Sequence, residues 1–404
     1  MTLATVEQAR DTIVKAARPL GSVETPLDRA DGLWLAETVF AARDQPPFDA
    51  SGMDGWAMRA CDVRPGARLA IVGESAAGHA PGATVGPGQA VRIFTGAGLP
   101  DGAERVVIQE EARRDGDVLI LATSLSEATW VRPRGGDFRQ GEALLRSGVR
   151  LNPWRVSLAA AAGRASLVCA RPPRVAILPT GDEVVPSGED AGPLQIFDSA
   201  GPGLLALVRR WGGIPVLRRP VGDDEGALSQ ALAGNDYDLL VTVGGASVGD
   251  HDLVKPVARS HGAELRVDGV AVRPGRPLWF GVVPDGRLRL GRPGNPVSAL
   301  VCAELFLSPL LAALQGGTAP VMFETATLVG ALEANGPREH YLRASLVRGT
   351  TSLEVSPAHA QDSSLVRMLA NSDALIRRAP FAPAVADGDP VEILSGPPHR
   401  GNDG

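Results

Sequence analysis

Apolar residues recur at Val6, Ala9, Ile13, Val14 and Ala17, a spacing that predicts one amphipathic helix closed by Pro19 and Gly21. No second helix is evident before Trp34, where Leu33, Leu35 and Ala36 lead into the break Gln45-Pro46-Pro47-Phe48. From about 62 to 150 the pattern changes to short β-type runs punctuated by Gly and Pro. Arg68-Leu69-Ala70-Ile71-Val72, Ala90-Val91-Arg92-Ile93-Phe94 and Arg105-Val106-Val107-Ile108 are examples, and together they predict a small all-β module. Leu151-Asn152-Pro153-Trp154 then opens an Ala-rich helix to Ala162, and Arg171-Pro172-Pro173 marks a junction where the chain can return to an interrupted first domain.

The segment 174–316 alternates apolar strand runs with helix-length stretches, the signature of a parallel sheet with crossover helices. Strands are expected at Val175-Ala176-Ile177-Leu178, Ile214-Pro215-Val216-Leu217, Leu239-Leu240-Val241-Thr242-Val243, 278–283 and 287–290. A helix from Pro296 to about Leu314 has Asn295 at its N-cap and Pro296 at the first helical position, where both are favoured. After Gly316-Gly317, short strands and turns to about 394 predict a last small β domain.

The chain has 404 residues, more than one hydrophobic core usually supports, so several compact units are expected. A formal charge of -6 without a Lys/Arg run argues against nucleic-acid binding through many phosphate contacts. Cys61, Cys169 and Cys302 lie far apart and show no C-x-x-C spacing, which suits reduced, structurally buried thiols in a cytoplasm. The N-terminus lacks a basic segment followed by an apolar one, and no apolar run reaches membrane-spanning length, so a cytoplasmic protein with no membrane contact is expected.

In an open α/β sheet, ligands bind beyond the carboxyl ends of the strands. After Leu178 come Pro179-Thr180-Gly181-Asp182-Glu183, a turn glycine and two carboxylates. After Val243 come Gly244-Gly245-Ala246-Ser247-Val248-Gly249-Asp250-His251-Asp252. Successive N–H groups there can form an anion nest, with Ser247 as a further donor. Gly-Gly after a strand also makes ordinary tight turns; the added Ser-x-Gly-Asp-x-Asp favours phosphate. Arg292-Pro293-Gly294-Asn295-Pro296 precedes a helix whose first-turn N–H groups attract an anion. Asp54, Asp137, Glu183, Asp223, Asp224, Asp250 and Asp252 lie in Gly-containing or turn-like segments, and such oxygen ligands suit Mg²⁺. For Asp223 or Asp224, capping the helix over 225–233 is the competing role. Arg273-Pro274-Gly275-Arg276-Pro277 sets two guanidinium groups around a rigid turn, matched to phosphate or another oxyanion. His79 and His251 have no partners at metal-ligand spacing.

Five segments in order resemble the molybdopterin molybdenumtransferase family, which includes bacterial MoeA and the E domain of gephyrin. They are Pro47-Phe48-Asp49-Ala50-Ser51-Gly52-Met53-Asp54-Gly55-Trp56-Ala57, Arg92-Ile93-Phe94-Thr95-Gly96-Ala97, Pro179-Thr180-Gly181-Asp182-Glu183, the 244–252 loop and Pro293-Gly294-Asn295-Pro296-Val297-Ser298. The resemblance implies a multidomain α/β plus β protein. Its parts would be an N-terminal helix (1–20) packed on the α/β domain, a discontinuous linking domain (21–45 and 142–172), and an inserted β domain (46–141). An α/β molybdopterin-binding domain with a parallel-rich sheet (173–316) and a C-terminal β-barrel-like domain (317–404) would follow.

The resemblance also implies the activity: adenylylated molybdopterin and molybdate, with Mg²⁺, give molybdenum cofactor and AMP. Asp54, Thr95, Asp137, Glu183 and Asp252 match functional positions, and Asp223 or Asp224 matches another acidic one. Pterin and phosphate contacts would come from Thr180, Gly181, Gly244, Gly245, Ser247, Gly249, Pro293, Asn295, Pro296 and Ser298, with Ser363 from the C-terminal motif Asp362-Ser363-Ser364. Arg273 and Arg276 would draw in molybdate, and Glu183, Asp224, Asp250 and Asp252 would hold Mg²⁺. A homodimer with its active cleft between subunits is implied, with a molybdopterin adenylyltransferase and molybdoenzyme chaperones as protein partners. Departures from the family pattern are Arg276, Arg292 and Ala200. The alternatives are a molybdopterin adenylyltransferase and a non-catalytic molybdopterin- or partner-binding scaffold.

Overall fold

The computed structural model describes residues 3–245, 253–349 and 352–395. Ser247, Gly249, Asp250 and Asp252 fall outside the described residues. The chain divides into two compact units, one comprising 1–37, 147–151 and 168–404 and the other 38–146 and 152–167.

In the larger unit a six-stranded sheet runs Ile214–Leu217, Arg174–Pro179, Leu239–Val243, Leu288–Arg292, Trp279–Val282, Glu264–Asp268. The first four strands are parallel and the last two join antiparallel. The alternation along Val175-Ala176-Ile177-Leu178 explains its two-sided burial. Val175 and Ile177 enter one core with the helices Val6–Ala16, Ala200–Arg210 and Pro296–Leu314. Ala176 and Leu178 enter another with Glu225–Leu232 and Val254–Ser260. The helix Pro296–Leu314 is long and apolar enough to cross a membrane, but most of it is buried in this core, which accounts for its composition. It widens to π geometry at Ala303–Leu307.

Beyond it, Glu324–Leu328, Glu339–Arg348, Leu353–Pro357, Ala374–Arg378 and Pro390–Ser395 close into a five-stranded barrel, because Glu339–Arg348 pairs with both Leu353–Pro357 and Ala374–Arg378. Its interior is filled by Leu328, Leu342, Val355, Ile376 and Ile393. The short strand Val272–Arg273 pairs with the start of Glu339–Arg348 and so ties the arginine turn to the barrel.

The smaller unit holds a six-stranded sheet in the order Arg105–Ile108, Gly55–Met58, Gln89–Ile93, Arg68–Ser75, Val118–Leu121, Ala112–Asp115. Trp56, Met58, Leu69, Val107 and Leu119 form its core. The helix Pro153–Ala161 is capped by Asn152, whose side chain accepts from Arg155 N at 2.9 Å.

Some expectations need correction. The stretch at Trp34 is not helical: Trp34 and Leu35 form β-bridges with Arg150 and Cys169, and local helical spacing yields to main-chain pairing. Cys61 is exposed, whereas Cys169 and Cys302 are buried, and all three are free. Glu264–Asp268 was not among the expected strands, since its charged, half-exposed pattern is that of a sheet edge.

Candidate functional site

In the larger unit, the loops beyond the carboxyl ends of Arg174–Pro179, Leu239–Val243 and Leu288–Arg292 converge on a cavity of about 650 Å³. Thr180, Gly181 and Glu183 line it from the first loop, Gly244 and Gly245 from the second, and Pro293, Gly294, Asn295 and Pro296 from the third. The first loop is pinned by Thr180 N to Val243 O at 2.8 Å and Gly181 N to Val221 O at 3.0 Å. Gly244 has φ +105°, and a Cβ there would lie 2.4 Å from Thr180 O, so only glycine lets the two loops approach this closely. Their main-chain groups thus sit at the cavity wall.

Asn295 occupies the N-cap position of its helix, but its side chain makes no capping bond. Its Nδ2 donates instead to Ser363 Oγ at 2.9 Å, and Val297 N donates to Ser363 O at 3.3 Å. The C-terminal motif therefore meets the helix start and leaves first-turn N–H groups without their usual side-chain acceptor. Ser364, next in line, borders the cavity, and Ser298 is buried in the helix's first turn.

The acidic residues separate. Asp223 lines the cavity with Glu183. Asp224, the residue expected among the Mg²⁺ ligands, spends one carboxylate oxygen as a cap, accepting from Ala227 N at 2.7 Å. Among the described residues, no three His, Cys, Asp or Glu groups converge as a ready metal cluster.

The arginines separate as well. Arg276 borders a different opening, with Leu3, Ala271, Pro337 and Arg338. Burial depresses the affinity of Arg343 for a proton, Asp362 opposes that effect, and Arg273 adds a smaller lowering. Burial and the surrounding Arg273, Arg343, Arg338 and Arg378 push His340 down to about 4, so the imidazole is neutral at pH 7 in a strongly positive neighbourhood. Arg292 does not reach the cavity. It is fully buried beneath the helix, donates to Ala299 O at 2.9 Å, and burial lowers it to about 10.

Sequence reasoning missed Ile196, Phe197, Asp198 and Ser199, all of which line the cavity ahead of Ala200, another lining residue. Asp198 is buried, which raises its carboxyl above the usual range, and it accepts from Gly201 N at 2.8 Å. A carboxylate three residues before the helical Gly201 is a capping pattern, and that was the one available signal.

In the smaller unit, Asp54 and Thr95 are brought together although 41 residues apart. Asp54 Oδ1 accepts from Thr95 N at 2.8 Å and Thr95 Oγ1 at 2.7 Å. These two bonds, with Arg92 nearby, hold the Asp54 carboxyl below its usual range. Arg92 lies between the rings of Trp56 and Phe94 and donates to Gly55 O and Gln109 Oε1. Gly55 is obligatory, since a Cβ would lie 2.1 Å from Val107 O on the neighbouring strand. Asp137 is exposed on a separate loop, anchored by its N–H to Gln45 O at 2.9 Å.

Residues 4–163 match the MoeA N-terminal region (domain I and II), 176–313 a probable molybdopterin binding domain, and 325–395 the MoeA C-terminal region (domain IV). A molybdopterin molybdenumtransferase from Nostoc sp. is 36% identical over 329 residues, 78% of this chain and 75% of the relative. The chain belongs to the molybdopterin molybdenumtransferase family. Another molybdopterin molybdenumtransferase, from Synechococcus elongatus, is 36% identical over 74% of this chain and 77% of its own. The solved molybdopterin biosynthesis MoeA protein of Pyrococcus horikoshii superposes with a TM-score of 0.80 at 28% identity, covering 98% of this chain and 99% of its own. Membership in the molybdopterin molybdenumtransferase family carries the coarse assignment, a molybdotransferase of molybdenum cofactor biosynthesis, together with the multidomain fold expected from sequence.

Proposed function

We propose that this molybdotransferase takes adenylylated molybdopterin and molybdate, uses Mg²⁺, and releases AMP as the dithiolene sulfurs take up molybdenum. The observation that carries this reading is one cavity lined together by Gly244, Gly245, the start of the Pro296–Leu314 helix, Glu183 and Asp223. Main-chain N–H groups at a helix start and a glycine turn favour phosphate oxygens. Glu183 and Asp223 offer the hard oxygen donors that Mg²⁺ prefers, with Asp250 and Asp252 completing the set in this reading. Bound there, Mg²⁺ would supply neutralisation of charge on the phosphoanhydride. Arg273 and Arg276, neither of them among the cavity-lining residues, would draw in molybdate through their guanidinium groups in this reading.

Asp54, Thr95 and Asp137 belong to the same reaction in this reading, delivered by the partner subunit of a cytoplasmic homodimer. Thr95 lowers the Asp54 carboxyl and leaves Oδ2 for a substrate or water. A molybdopterin adenylyltransferase and the chaperones of molybdoenzymes are the protein partners that fit such a step.

The test is incubation of the purified protein with adenylylated molybdopterin, Mg²⁺ and molybdate, following AMP and cofactor. Molybdate-dependent AMP release is expected. A folded dimer that releases none, or that instead consumes ATP with unadenylylated molybdopterin, defeats the reading. An active monomer would defeat the cross-subunit role of Asp54 alone.

A further inference from the structure

The cavity lining includes two large apolar side chains that are exposed rather than packed. Phe197 keeps 51% and Ile196 58% of their surface in solvent, although both line the cavity. Their strand, Ile196–Phe197, pairs in parallel with Val184–Val185. Ile196 N donates to Glu183 O at 2.7 Å and Asp198 N to Val185 O at 2.8 Å, so main-chain bonds anchor the residues on both sides of Phe197 to the segment carrying Glu183. The buried Asp198 fixes the same strand to the next helix through Gly201 N. An aromatic side chain on so restrained a backbone exposes its surface at little conformational cost, a property of ligand platforms rather than of mobile loops.

A ligand satisfying the whole cavity must be anionic where it meets Gly244, Gly245 and Asn295, and flat and apolar-faced where it meets Phe197. We propose that Phe197, flanked by Ile196, is a stacking platform for the fused nitrogen heterocycle of a phosphorylated ligand, adenine or pterin. It thereby sets which ring this cavity accepts. The placement of the anionic end rests on the function proposed above; the ring site has its own test.

Binding to the full-length protein is measured by calorimetry with three probes: AMP, a pterin carrying one phosphate, and ribose 5-phosphate. Phe197→Ala should weaken one ring-bearing probe by about tenfold, the usual worth of a base–aromatic stack, and leave ribose 5-phosphate unchanged. Loss confined to AMP assigns the platform to adenine, and loss confined to the pterin assigns it to that ring. Phe197→Trp should restore the affinity, and Ile196→Ser should cause a smaller loss for the same probe. Unchanged binding of both ring-bearing probes by Phe197→Ala overturns the platform, as does an equal loss for ribose 5-phosphate. Dissociation of an oligomer by Phe197→Ala, seen in sedimentation, would make the residue an interface contact and likewise overturn it. Failure of the wild-type protein to bind any of the three phosphates would sink the cavity's proposed function, a result distinct from those.

Discussion

In the α/β region the cavity joins glycines, turns and a helix start on three adjacent strand ends to the carboxylates of Glu183 and Asp223. In the smaller unit the corresponding feature is a pair of side chains, Asp54 and Thr95, that two paired strands carry to one point. The first design depends on backbone conformation and so on the fold itself. The second depends on two functional groups that the fold merely presents. Substitution should therefore separate the two regions by what is lost together.

The largest effect is expected for Asp54→Ala and Glu183→Ala, each lowering molybdate-dependent AMP release by ~10²–10³-fold, the scale seen when one charge-stabilising group is removed. Circular dichroism and melting temperature should be unchanged, and a parallel loss of structure would erase the contrast. Gly244→Ala should behave in the opposite manner. Its positive φ and the approach of Thr180 O make it costly by about 1–3 kcal/mol, so denaturant midpoint and AMP affinity should fall together. A variant of normal stability that has lost only binding would break the distinction.

Asp223 and Asp224 give a sharper comparison between neighbours. Asp224→Ala should cost about 1 kcal/mol of stability as a lost helix cap, with AMP release nearly intact, whereas Asp223→Ala should reduce AMP release with the melting curve unmoved. The reverse pattern would put Asp224 back among the metal ligands.

The smallest effect concerns pH. Asp54 has its carboxyl lowered first by the Thr95 N–H and then by the Thr95 hydroxyl. A lowered carboxyl favours the ionised form, so what it contributes is present above its unfolded value and is lost as pH falls through its folded value. Thr95→Val removes only the hydroxyl bond. The acid limb of the activity profile should therefore move up by less than about one pH unit, with the main-chain bond retaining the remainder. A limb that moves down, or does not move, would detach Asp54 from the profile.

Much of the fold is legible because it is local. Val175-Ala176-Ile177-Leu178 shows two-sided burial in its own composition, and Asn152-Pro153 announces the helix that follows. The Gly244-Gly245 turn and the Pro293–Pro296 segment, which both line the cavity, are readable as turns for the same reason, since glycine admits positive φ and proline fixes φ wherever they stand. Trp34 misleads because its apolar neighbours suit a helix, yet its main chain is bridged to Arg150, more than a hundred residues away. Thr95 was picked out by resemblance alone, and Asp54 otherwise only as one of several turn carboxylates. Nothing in the spacing of two short polar words reveals that adjacent antiparallel strands will bring them to 2.7 Å.

By itself, the sequence determined the kinds of element, the glycine turns and the family, because these rest on backbone preferences and on words that stay contiguous along the chain. The tertiary structure alone decided where near neighbours stand: Asp223 rather than Asp224 on the cavity, Ser363 rather than a main-chain amide on the Asn295 side chain, and Phe197 on the cavity lining. Each is a choice between near neighbours with the same chemistry. Only the direction in which a folded backbone points a side chain can settle it, and that direction is set by contacts distant in sequence.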